Sequence, residues 1–264
     1  MKYAFVTTNL LDLWAEPRFN CERLSQLLFG EVVRVESEKE GYCRVIQEDG
    51  YRGWGDKRFL GFLTRIDAES HLGAVNFIIS SANVRVYSKT RRLTPPFTLY
   101  YGTRLPVKHD REDLARVVLP HGMQLYIKKS GIRPIIGPKA EKPTGLKIVA
   151  EARRFLGVPY LWGGITACGF DCSGLVRAVY SRFGICLPRD TKDQITVGRE
   201  VDRESIRTGD LVFFQRHVGI AIGKASLIHA SLGGGGVRIN SLVREGPNYR
   251  EDLDRDFNTA RRLL

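Results

Sequence analysis

A pattern of short strands recurs in the first half of the chain at a constant offset of 72 residues, and it leaves few folds open. Gly30 maps to Gly102, Val45 to Val117 and Trp54 to Tyr126, while Leu13-Trp14 maps to Arg85-Val86. The stretch 28–35 thereby aligns with 100–107. An offset held across separated anchors marks a duplicated unit rather than one continuous sheet. Within the first copy, Glu31–Val35 and Tyr42–Ile46 are short, β-branched and divided by a charged turn, and Asp49-Gly50 and Gly53 punctuate the way to Trp54. Each copy has about 60 residues, the size of a small all-β barrel with a modest core. The two are expected at 1–65 and 72–131. Trp54 and Tyr126 read as core anchors of these barrels rather than as sugar platforms.

Pro134, Gly137, Pro138, Pro143 and Gly145, mixed with Lys139, Glu141 and Lys142, oppose both helix and central strand, so 132–143 is expected to be a linker. Beyond it the period changes. From Thr144, an N-cap residue, Leu146, Val149, Ala152 and Leu156 recur at helical spacing until Gly157 and Pro159. A second helix is predicted over 172–183, with Leu175, Val176, Val179, Tyr180 and Phe183 on one face and Gly184 as its stop. Strands are predicted at 210–214, 218–222, 227–229 and 237–240, and Gly233–Gly236 reads as a flexible hairpin connection. Helices first and strands afterwards make 144–264 an α+β domain.

Bulk properties exclude several classes. The net charge of +12 is spread over both halves without a polybasic block, which agrees with an anionic partner but brings no nucleic-acid module with it. Five cysteines at irregular spacing suit a reducing compartment rather than a disulfide scaffold. Cys168 and Cys172 lack the companions of a zinc set, so no metal and no cofactor is expected. Residues 1–10 are broken by polar side chains before an apolar segment forms, and no apolar run is long enough to span a bilayer. As written, the chain is expected without a signal peptide or membrane insertion and in the cytoplasm, with periplasmic action only through an unrecognised export route. Oligomeric state stays open.

The chemistry concentrates at Asp171-Cys172-Ser173. A free thiol titrates at about 8.5, and a helix start and a nearby imidazolium both favour its anion. Only His217 and His229 share this domain with Cys172. If the strand carrying His217 packs beside the helix start, one ring nitrogen reaches the thiol, and His229 on the next strand is available to fix the other. A lone cysteine before a helix is more often core than catalytic; the two histidines raise the case.

The second half resembles the NlpC family of bacterial cell-wall cysteine peptidases, which carry a reduced papain-like fold. The matching stretches are Leu156-Gly157-Val158-Pro159-Tyr160-Leu161-Trp162-Gly163-Gly164, Asp171-Cys172-Ser173-Gly174-Leu175, Leu187-Pro188-Arg189-Asp190-Thr191 with Gln194, Gly209-Asp210-Leu211-Val212-Phe213-Phe214, His217-Val218-Gly219-Ile220 and Ile228-His229-Ala230-Ser231. The preceding repeats are similar to the bacterial SH3-like domains that accompany this family. Two of them before the peptidase domain resemble the γ-D-glutamyl-L-diamino acid endopeptidases, which trim peptidoglycan stem peptides.

The resemblance implies Cys172 as nucleophile, His217 as base, His229 as its orienting partner, and Tyr160 with the Cys172 N–H at the oxyanion. It further implies a substrate with a free N-terminal L-alanine, its ammonium held by Asp171 and Ser173, with Thr191 lining the cleft. Tyr51 and a glutamate of the first SH3-like domain, Glu22 or alternatively Glu16, would complete that pocket. The activity implied is hydrolysis of the γ-D-glutamyl–diaminopimelate bond of peptidoglycan-derived peptides. Two alternatives stand beside it: hydrolysis of intact peptidoglycan, and a non-catalytic wall-binding protein.

Overall fold

The duplication in sequence is a duplication of strand order. In the computed structural model, which describes residues 2–87, 97–109, 113–137 and 141–264, the chain divides into units Met1–Ile135 and Ile136–Leu264. Pro138 and Lys139 of the expected linker lie outside the described residues. The first unit opens with β1 (Lys2–Val6), β2 (Leu10–Trp14), β3 (Arg23–Leu28), β4 (Val32–Lys39), β5 (Tyr42–Ile46), β6 (Arg52–Asp56) and β7 (Leu60–Leu63), ordered β3-β2-β6-β5-β4-β1-β7. It continues with β8 (Phe77–Ile79), β9 (Asn83–Tyr87), β10 (Thr98–Tyr100), β11 (Arg104–Leu105), β12 (Val107–His109), β13 (Leu114–Val118), β14 (Gln124–Lys128) and β15 (Ile132–Pro134). These run β10-β9-β14-β13-β12 and β11-β8-β15, which is the same order with β4 split in two. The split falls at Pro106, which has no N–H to give a ladder.

Register repeats as well. Tyr42↔Asp56, Arg44↔Trp54 and Ile46↔Arg52 reappear as Leu114↔Lys128, Arg116↔Tyr126 and Val118↔Gln124, each 72 residues later. Gly30 and Gly102 both sit at positive φ, +78° and +89°, where a side chain would strain the turn. The pairing of Leu13-Trp14 with Arg85-Val86 needs correction. Trp14 faces Trp54, whereas Tyr126 faces Tyr87, so Val86-Tyr87 is the true counterpart. The copies differ by one residue in the connection between β9 and β10. Tyr126 is buried as an anchor should be; Trp54 is half-buried, and Trp14 takes the deeper place.

The gap expected between the two barrels is occupied by a helix, α1 (Arg65–Ala74). Thr64 accepts the Asp67 N–H at 3.1 Å, a cap whose Thr-x-x-Asp pattern was present in the sequence. Its His71 is buried, with Nε2 3.1 Å from the Gly30 carbonyl.

The second unit contains α2 (Gly145–Arg153), the short hairpin β16 (Ile165–Thr166) and β17 (Gly169–Phe170), α3 (Cys172–Ser181), α4 (Thr191–Gln194) and α5 (Glu251–Arg255). Its sheet comprises β18 (Arg199–Val201), β19 (Leu211–Phe214), β20 (His217–Ala221), β21 (Ser226–Ser231), β22 (Gly236–Ser241) and β23 (Phe257–Arg262), in the order β18-β23-β19-β20-β21-β22. Helices α2 and α3 pack on β20 and β21. The expected cap at Thr144 forms, but the buried face of α2 is Ile148, Val149 and Ala152, continued by Phe155. Leu146 and Leu156, assigned to that face from spacing, are 73% and 42% exposed. Strand β23 was hidden by its arginines; Arg262, at the end of this interior strand, pairs with buried Asp210 at 2.6 Å.

Candidate active site

Cys172 is the first residue of α3, and Asp171 is its N-cap. The Asp171 carboxylate accepts the Gly174 N–H at 2.7 Å and the Gly163 N–H at 3.0 Å, tying the aromatic loop to the helix start. Buried Arg189 donates to both of its oxygens and to Ser173 Oγ at 2.9 Å. Gly174 has no alternative: a Cβ there would strike the Gly164 carbonyl. Loop 157–160 is stitched to β22 by Gly157 N–H to Val237 O and Tyr160 N–H to Gly235 O. A Cβ on Gly236 would strike the Val158 carbonyl, so this glycine is a docking position and more than a flexible connection.

The histidines follow from strand geometry. His217 begins β20, and β20 pairs with β21 with Ile220 opposite Ile228. That register puts Gly219 across from His229; its missing side chain leaves the imidazole free to lean diagonally toward His217. His217 Nε2 lies 2.6 Å from His229 Nδ1, and His229 Nε2 lies 2.9 Å from Asn240 Oδ1. Asn240 Nδ2 donates to the Asn248 carbonyl at 2.7 Å, which fixes the amide with its oxygen toward His229. Proton positions then follow in sequence. His229 must donate from Nε2, so its Nδ1 accepts from His217 Nε2–H, and His217 Nδ1 is left as the base nitrogen.

The Cys172 sulfur lies 3.7 Å from Thr191 Oγ1, and the backbone N–H groups of Val218 and Ser173 favour its anion. Val218 follows His217 directly, so the thiol and the base share one corner of the fold. The resting charge state differs from the one expected of a thiolate beside an imidazolium. Burial, and then the Asp171 carboxylate, push the Cys172 thiol up despite the N–H groups that oppose them. Burial, His229 and Arg250 push His217 down to about 3, and burial also holds His229 below its ordinary value. The site rests as neutral thiol and neutral imidazole. Burial and the charges of Cys172 and Asp171 raise the Tyr160 phenol, so it stays a hydrogen-bond donor.

Cys172, His217, His229, Tyr160, Asp171, Ser173 and Thr191 therefore fall within one unit and one neighbourhood. The Asp171 carboxylate is filled by its cap and by Arg189, so an ammonium arriving there meets an acid already paired with a guanidinium. Arg189 pairs with Asp171, 18 residues before it. Tyr51 and Glu22 belong to the first unit. There the Tyr51 hydroxyl donates to the Leu24 carbonyl at 3.5 Å, two residues from Glu22, while Glu16 pairs with Arg18 at 3.1 Å. Sequence reasoning missed Asn240, Arg189 as partner of Asp171, and Gln194, whose buried amide donates to the Ser173 and Pro188 carbonyls at 3.1 and 2.9 Å. Arg189 and Gln194 stood in a stretch that carries the resemblance but had no partner assigned, and Asn240 stood only as the end of a predicted strand, two residues from the position facing His229.

Comparison with known proteins bears on the same residues. The NlpC/P60 family model matches residues 157–253, and a model described as bacterial dipeptidyl-peptidase Sh3 domain matches 13–54. The chain is similar to dipeptidyl-peptidase 6 of Lysinibacillus sphaericus, with 30% identity covering 95% of this chain and 95% of that protein. It is also similar to the gamma-D-glutamyl-L-lysine dipeptidyl-peptidase of Bacillus subtilis, with 30% identity over 83% of this chain and 76% of that protein. A crystal structure of an NlpC/P60 family protein from Bacillus cereus matches with a TM-score of 0.83 at 24% identity, covering 98% of this chain and 99% of that one, a likeness of fold.

Proposed function

This chain belongs to the NlpC/P60 family of cysteine peptidases, and from that premise we propose that it hydrolyses the amide between the γ-carboxyl of D-glutamate and the diamino acid of peptidoglycan stem peptides, diaminopimelate by the resemblance, acting on peptides with a free N-terminal L-alanine. The observation that carries this reading is the similarity to a dipeptidyl-peptidase along nearly the whole of both chains, the region before the peptidase domain included.

In this reading the Cys172 thiol passes its proton to His217 Nδ1 as the sulfur bonds to the γ-carbonyl carbon. The developing oxyanion faces the Tyr160 hydroxyl and the Cys172 N–H. The C–N bond then breaks and the departing amine takes the proton from His217, leaving a γ-glutamyl thioester. Water attacks that thioester, giving one proton to His217, which returns it to the sulfur as the L-alanyl-D-glutamate product leaves. His229 and Asn240 keep the required nitrogen of His217 free throughout. Substrate contacts from Asp171, Ser173, Thr191, Tyr51 and Glu22 remain part of this reading on the resemblance.

Incubation with L-Ala-γ-D-Glu-meso-diaminopimelate, followed by mass spectrometry, tests it. The wild-type protein should release the dipeptide and Cys172→Ala should not; an intact peptide with both overturns the reading. Purified sacculi, whose stems carry an L-alanine attached to sugar, should yield almost nothing. Release from sacculi at a rate matching the free peptide would replace a peptide-trimming enzyme with a wall hydrolase.

A further inference from the structure

A cavity of about 260 Å³ opens beside the histidine pair, bordered by His217 and His229 together with Arg216, Arg250, Asp252 and Asp256. It includes the base and its partner but not Cys172. That composition places it along the reaction coordinate. The acyl part of a peptide bonds to the sulfur, whereas the departing amine must take its proton from the imidazole. Space bordered by the imidazole and not by the sulfur is therefore open to a leaving group rather than to the acyl part.

Its charges divide unevenly. Arg250 holds Asp252 through two bonds of 2.7 and 2.5 Å, its guanidinium beside Gly233, and Asp256 pairs with Arg255 at 2.8 Å. Both acids are thereby balanced. Arg216, next in sequence to His217 and exposed, has no hydrogen-bond or ion-pair partner among the described residues. A guanidinium without a partner at the rim of a leaving-group cavity is complementary to a carboxylate and repels an ammonium that stands alone.

We propose that this cavity is the leaving-group subsite and that Arg216 in it binds the side-chain carboxylate of the diamino acid, so that a side chain ending in both ammonium and carboxylate is favoured over a lysine side chain. The balanced pair Arg250–Asp252 then offers its carboxylate edge to the accompanying ammonium. This inference rests on the γ-glutamyl reading given above and deepens it, since that reading takes its diamino acid from the resemblance alone.

Three peptides test it: L-Ala-γ-D-Glu-X-D-Ala, where X is meso-diaminopimelate, the same residue with its side-chain carboxyl converted to carboxamide, or L-lysine. All three keep the same terminal carboxylate. The wild type should show a kcat/KM about tenfold or more higher for the carboxylate than for the carboxamide, the range of one charge-assisted hydrogen bond. Arg216→Gln should bring that ratio within about twofold, and Arg216→Glu should turn the preference toward lysine. A wild-type ratio near one, or a ratio unchanged in Arg216→Gln, overturns the inference while leaving the γ-glutamyl activity standing. Failure to cleave any of the three removes the activity itself and this inference with it.

Discussion

His229 Nε2 stands 2.9 Å from Asn240 Oδ1, one step diagonally across the β21–β22 pair, where His229 directly faces Arg238. This contact, backed by the Asn248 carbonyl, is what decides which nitrogen of His217 carries a proton. A side chain that touches neither thiol nor substrate thus sets the base.

Asn240→Ala should lower kcat/KM about tenfold, the worth of one buried hydrogen bond, by letting His229 adopt either tautomer. Asn240→Asp makes a different prediction. A carboxylate there stabilises the imidazolium forms, so protonation of His217 begins at higher pH and the acid limb of the kcat/KM profile moves toward neutrality. Profiles of both variants between pH 4 and 9, set against wild type, check this; a loss in both variants with no movement of the limb would reduce Asn240 to a packing residue.

The wild-type profile should itself be broad. Activity requires the pair to hold one proton between thiol and imidazole. On the acid side it is lost only as His217 protonates, at about 3, and on the alkaline side only above the ordinary thiol range. Most of the neutral-pH kcat/KM is therefore expected to survive at pH 5. An acid limb near the ordinary imidazole value would contradict the neutral resting pair.

The same burial carries a cost in stability at low pH. Unfolded histidine titrates at about 6.5, whereas His217 in the fold resists protonation down to about 3 and His229 is shifted the same way. Below about 6.5 the unfolded chain takes up protons that the folded chain refuses, so stability present at neutral pH is lost as pH falls, by up to about 1.4 kcal/mol per pH unit for each group. Urea midpoints at pH 7 and 4.5 should differ, and His217→Asn should narrow the difference.

Arg189 offers a stability test at the helix start. Its side chain is 1% exposed and pairs with an Asp171 carboxylate that is 11% exposed. Arg189→Ala would strand that carboxylate, at an expected loss of about 3–5 kcal/mol in chemical denaturation, with activity falling because the Asp171 cap orients Cys172. A loss under 1 kcal/mol would mean that the pair is not the anchor of the loop.

Much of the site could be read from the chain because its parts carry local signatures. Leu175, Val176, Val179 and Tyr180 announce a helix that starts at Cys172, and the apolar run after His217 announces a strand. The parts that escaped depend on contacts distant in sequence. Arg189 meets Asp171 across 18 residues, and nothing near Arg189 distinguishes that partner from Asp190. Asn240 reaches His229 only through the register of two strands. The buried face of α2 holds Val149 and Ala152 as expected, but Leu146 and Leu156 match that spacing only in sequence, and Ile148 and Phe155 take their places. In the repeats, the offset of 72 holds from β10 onward, whereas β8 and β9, before the connection that is one residue shorter, stand 73 residues from their counterparts.

Two copies of one strand order in a single chain put every strand at high effective concentration near a wrong partner, the setting in which tandem domains misassemble during folding. Pro106 stands where the first copy has Arg34, which faces Tyr3 on one side and Ile46 on the other. A segment with proline at that register cannot supply the backbone N–H that β4 has available there. The second copy's strand is therefore a poorer fit than β4 within the first barrel, so the residue that interrupts one strand also weighs against its exchange for the other.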